Sequence, residues 1–146
     1  MSTPSTFFGT VDVKQLEASN CIFMHKVSAQ LRQAGCVRFC FLPNDSITAR
    51  RYRCQPDLAL QGVDDPAAQQ EILLRMEPAF TSTSYGQPAY AQLKLTVPLE
   101  IRAGADDGAE MGAFHFLQQP QREANLRASL DEYLRFSLEA GISYAT

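Results

Sequence analysis

Near its start the chain partly repeats itself. Thr6-Phe7-Phe8, Cys21-Ile22-Phe23 and Cys36-Val37-Arg38 each begin fifteen residues after the last. The hexamer Val11 to Leu16 lies over Val27 to Arg32 at an offset of sixteen. Short runs of Val, Ile, Phe and Cys at a nearly constant period point to a stacked array, in which like residues form columns and bury one another. The columns this alignment predicts are Thr6/Cys21/Cys36 and Val11/Val27. An antiparallel meander with accidental similarity is the competing fold, because two and a half imperfect repeats are a short run.

The rest of the chain reads as a cap on such an array. The expected fold class is mixed α/β (α+β): short N-terminal parallel β-helix-like (β-solenoid) coils over residues 7–60, then a strand-and-helix C-terminal cap over residues 61–146. All 146 residues form one domain, with enough chain for a core without staples. Asp65 and Pro66 are an N-cap and first helical residue, and good helix formers follow to Met76, with Ile72, Leu73 and Met76 as the apolar cluster. Residues 91–102 alternate apolar and polar side chains, which predicts a long half-buried strand broken or edged at Pro98. A last helix is expected from Gln121 to Ala140, stopped by Gly141, with a stripe of Leu126, Leu130, Tyr133, Leu134 and Leu138. Phe136 widens that stripe, so Leu134, Phe136 and Leu138 are the expected partner-docking residues.

Candidate chemistry is sparse. Cys21, Cys36, Cys40 and Cys54 are all in the first 54 residues, and Cys21-x3-His25 and Cys36-x3-Cys40 carry zinc-ligand residue types. Neither has the usual C-x2-C spacing, and small apolar thiols suit stacked columns, so packing is the expected role. Arg50, Arg51 and Arg53, with Tyr52 among them, are the dense basic cluster. They would either clamp an anion, or pair with nearby acids or with the acidic loop holding Asp106, Asp107 and Glu110. Those acids could themselves hold a divalent cation, but they lack EF-hand spacing. His115, between two phenylalanines, is expected to be packed. No G-x-S-x-G elbow is present, and the coils hold no stacked carboxylate pair.

A net charge of −3 gives no general attraction to nucleic acid or anionic lipid, and no apolar run is long enough to span a bilayer. The first ten residues lack the basic and apolar regions of a signal peptide, so a cytoplasmic location is expected.

Three segments, residues 35–60, 85–93 and 104–144, resemble the C-terminal region of large uncharacterised bacterial proteins with right-handed parallel β-helix coils. The resemblance implies that the chain forms the final coils and cap of a longer solenoid, and it carries over no catalytic residue. Taken together, the residues and the resemblance lead to a non-catalytic structural or interaction module with no cofactor. It would dock a protein partner or self-associate through its first coil, a homo-oligomer being one outcome. The alternatives are a polysaccharide-binding or polysaccharide-active β-helix domain, and a small Cys/His zinc-binding protein.

Overall fold

In the computed structural model, which describes residues 3–135 and 138–143, seven short strands form three parallel ladders. The first joins β1 (Thr6–Phe7) to β4 (Ile22–Phe23), and the second joins β2 (Val11–Val13) to β5 (Val27–Ala29). The third runs β3 (Leu16–Ser19), β6 (Gly35–Arg38), β7 (Arg50–Tyr52). The chain visits the ladders in the same order each time. Isolated parallel bridges carry a third pass through the first two, with Phe41 on Ile22 and Ile47 on Ser28, and Gln55 then extends the first ladder beyond Phe41.

The pairing Val11↔Val27 is the one the repeat predicts. The predicted column Thr6/Cys21/Cys36 does not form: Thr6 pairs with Ile22, and Cys36 lies between Glu17 and Arg50. The passes differ in length, sixteen residues from Val11 to Val27, nineteen from Leu16 to Gly35 and fourteen from Cys36 to Arg50. Burial, not period, sets the register, because a slip of one residue would turn every inward side chain outward. Phe23, Val27 and Val37 are fully buried in the core between the ladders, and Phe7 stacks on Phe23 with ring centroids 4.8 Å apart.

The cysteine column that does form is Cys21, Cys40 and Cys54, each one residue before a rung of the first ladder. Before each stands a residue of positive φ: Asn20 at 58°, Phe39 at 49° and Arg53 at 49°. Asparagine tolerates this left-handed backbone, whereas Phe and Arg accept roughly 1–2 kcal/mol of strain there. The same tight corner is therefore built three times. Gly35, at φ 94°, opens β6, and a Cβ there would run into the carbonyl of Leu16.

A second core lies on the other side of the first ladder. Ile22 and Phe41 face outward there and pack with Met76, Phe80, Leu93, Val97, Ile101 and Met111. After α1 (Asp57–Leu60), α2 (Pro66–Arg75) starts as the sequence predicts, with the Asp65 carboxylate accepting from the N–H groups of Ala67 and Ala68. Met76 is fully buried.

Residues 91–102 are not a strand. Leu93 makes one bridge to Phe80, the chain turns, and Leu99–Arg102 form the short helix α3 behind Pro98. Leu93, Val97 and Ile101 are buried while Leu95 and Leu99 are 48% and 67% exposed, so burial recurs every four residues rather than every two. Positive φ at Ala89 and Ala91 interrupts extended backbone, and Pro98 cannot donate to a ladder.

The last helix, α4 (Gln119–Tyr133), also differs from expectation by ending before Leu134. It buries no residue: Leu126 and Tyr133 are exposed, and Leu130 and Leu134 only half-buried. An unburied stripe gives little tertiary support for further turns. Glu123 and Arg127 pair along the helix, and Arg102 ties α3 to Glu123 at 3.6 Å. No helix among the described residues is long and apolar enough to cross a membrane.

Candidate functional site

The structure separates the predicted arginine cluster. Arg51 follows Ala18 and Val37 in register, so its side chain turns over the end of the inner core. There Nη1 donates to both carboxylate oxygens of Asp57 at 3.1 and 3.0 Å, Nε donates to Thr48 Oγ1, and Nη2 donates to the carbonyl of Ser46. Of the two expected sources of a partner, the acid it meets is a nearby one, Asp57, rather than the acidic loop. Arg50 and Arg53 are exposed, and the Arg53 guanidinium lies 6.0 Å from the centroid of the Tyr52 ring. A cleft of about 270 Å³ opens between Arg51, Arg53, Cys54, Asp57 and Gln61.

The acidic loop docks instead on the first corner. Asn20 is 5% exposed; its Nδ2 donates to Asp106 Oδ1 at 2.7 Å and its Oδ1 accepts from the N–H of Asp106 at 3.1 Å. The carbonyl of Asn20 also accepts from Gly112, whose missing Cβ leaves room for Thr6 and Ile22. His115 Nε2 lies 3.1 Å from Asp107 Oδ1 and 3.4 Å from Asn20 Nδ2. Of these two neighbours only the carboxylate can accept, so Nε2 donates to Asp107. Asp106, Asp107 and His115 present ligand atoms within 4.8 Å of one another, a set of suitable chemistry for a divalent cation. In this structure Asp106 Oδ1 is engaged by Asn20 at the corner, and Asp107 Oδ1 by His115 and the N–H of Ala109 within the loop.

Two acids of this loop are shifted in opposite directions. Partial burial pushes the Asp107 carboxyl up, but the N–H of Ala109 and the His115 ring outweigh it and hold the group below the ordinary carboxylate value. Glu110 is 7% exposed, and burial raises it against the partial pull of Arg102 and His115.

Cys21, Cys40 and Cys54 are buried and Cys36 is half-buried, with no disulfide. The hydrogen bond with the Cys21 side chain, reinforced by burial, drives the Cys40 thiol far above its ordinary value. Burial raises Cys54 likewise. Such thiols stay protonated, and the thiolate is the form that attacks or binds metal. His25 is exposed, and among the described residues no group of three ligands gathers around the cysteines.

Of the predicted docking residues, Leu134 is half-buried beyond the end of α4, Leu138 is 59% exposed, and Phe136 lies outside the described residues. Sequence reasoning placed Tyr52 within the basic cluster but gave Asn20 and Arg38 no site role. For Asn20 a signal existed, since it stands before Cys21-Ile22-Phe23 as a residue that tolerates positive φ. Arg38 and Tyr52 become neighbours only through the register of β6 and β7. No protein-family model, curated protein or solved structure matches this chain.

Proposed function

We infer that the chain is a non-catalytic interaction module: the final coils of a β-solenoid, closed at one end and able to pair at the other. The observation carrying this reading is the one-sidedness of the first-pass strands. β1, β2 and β3 each pair with a single neighbour, all in the same direction. In β2, Val11 donates to Lys26 and Val13 accepts from Gln30, so the intervening Asp12 turns its N–H and C=O to the opposite, unpaired edge. Behind that edge Phe7, Val11 and Val13 are only partly buried. An edge of this kind is a template for another strand. At the other end, Arg51 and its bonds to Ser46, Thr48 and Asp57 close the stack with charge, as terminal repeats require.

The occupant that can be tested directly is a second copy. Light scattering of the whole chain should show concentration-dependent association, and Asp12→Pro, which removes an outward N–H without touching the β5 pairing, should abolish it. A wild-type chain that stays monomeric at the highest attainable concentration, with the amide of Asp12 exchanging freely, would overturn the reading.

A further inference from the structure

We propose that the outer face of the β3–β6–β7 sheet binds an anionic glycan through Arg38, Arg50 and Arg53 set around Tyr52. This inference stands on a different surface from the pairing edge and does not depend on it. Charge is unevenly divided along the chain. Residues 1–56 carry seven Lys/Arg against three Asp/Glu, whereas residues 57–146 carry six against thirteen. The strand-bearing part is thus net +4 and the remainder net −7, which together give −3.

The register gathers part of that positive charge on one flat face. Glu17, Cys36 and Arg50 form one outward row, and Ser19, Arg38 and Tyr52 the next. Neighbouring strands are about 4.8 Å apart and alternate residues about 6.6 Å, so Arg38 and Arg50 stand roughly 8 Å apart on the diagonal. Arg53 follows at the corner. Among the described residues, none of these three has an ion-pair partner within salt-bridge distance. Arg51, facing the other way, is committed to Asp57.

Tyr52 is half-exposed and held in place. The Phe39 ring meets it edge-on, with centroids 5.8 Å apart and planes at 83°, and the Arg53 guanidinium lies over the ring, 6.0 Å from its centroid. A fixed aromatic face flanked by unpaired guanidinium forks fits a sugar ring bearing carboxylate or sulfate groups, since the fork takes either group bidentately. Three strands of three or four residues make a footprint of about 10 by 13 Å. That accommodates two or three sugar units of a single chain and is narrower than a nucleic-acid duplex. The acidic remainder of the molecule further opposes long polyanions.

The test is calorimetric titration of the whole chain at low salt with a sulfated heparin hexasaccharide, an oligogalacturonate, a neutral maltohexaose, inorganic polyphosphate and single-stranded oligothymidylate. The two anionic oligosaccharides are expected to bind and the neutral one not. Arg38→Gln, Arg50→Gln and Arg53→Gln should each weaken binding about tenfold, the loss of one charge-assisted contact. Tyr52→Ala should weaken the oligosaccharides and leave any polyphosphate binding unchanged. Lys14→Gln and Lys26→Gln, exposed and outside that sheet, should change nothing. All these positions are exposed, so circular dichroism should show unaltered folding. The proposal is overturned by absence of binding, by equal losses in the lysine variants, or by polyphosphate or oligothymidylate binding as tightly as the glycans.

Discussion

Asn20 does three things at once. It holds the left-handed corner, its amide clasps Asp106 from both sides, and its carbonyl receives Gly112. Asn20→Ala should therefore cost about 3 kcal/mol, combining left-handed strain with two lost hydrogen bonds. Asn20→Gly keeps the corner and loses only the amide bonds, so roughly half that loss is expected in urea denaturation. A Gly variant as unstable as the Ala variant would show that the conformation matters little.

Glu110 offers a pH test at the same scale. Its folded value is raised, so the folded state resists its ionisation and stability falls as the pH climbs from the ordinary glutamate value through the raised one. Glu110→Gln should raise the melting temperature at pH 7 by a few degrees. At pH 4 the wild-type carboxyl is protonated and the difference should vanish. Asp107 has the opposite sign: its contribution is present above the ordinary carboxylate value and is lost as the pH falls through its depressed one.

At the scale of elements, residues 91–102 show how a pattern can satisfy two periods. Leu93, Val97 and Ile101 sit at odd positions of an apparent strand and at every fourth position of a turn and short helix. Leu93→Ala should cost about 2–4 kcal/mol by opening a cavity in the second core, whereas Leu95→Ala, half-exposed, should cost under about 1 kcal/mol. Equal losses in chemical denaturation would restore the strand.

Local signals such as Asp65-Pro66 were legible because capping involves neighbours in sequence. The Val11/Val27 register was legible because the first two passes keep the same length in those ladders. The cysteine column was not, since pass lengths of nineteen and fourteen place Cys40 and Cys54, rather than Cys36, beside Cys21. The end of α4 was hidden for another reason: an apolar stripe shows what a helix would like to bury, not whether a surface is there to receive it. The pairing of Arg51 with Asp57 required knowing that an arginine occupies an inward position. The Arg38–Tyr52 face likewise needed the register of two strands.

For the whole molecule, the arrangement of charge and the arrangement of edges are separate features. The unpaired strand edges look along the ladder direction, and the arginine-bearing sheet looks sideways from it. One surface would set how copies meet, and the other would remain available to a ligand while they do.

Strand β4 is the partition between the two hydrophobic cores. Phe23 fills one and Ile22 the other, from adjacent positions on a two-residue strand. A wall shared in this way cannot be remodelled for the benefit of one room alone. Any attempt to redesign the strand-bearing half as a free-standing scaffold must first give Ile22 and Phe41 a new neighbour, or it will leave them facing water.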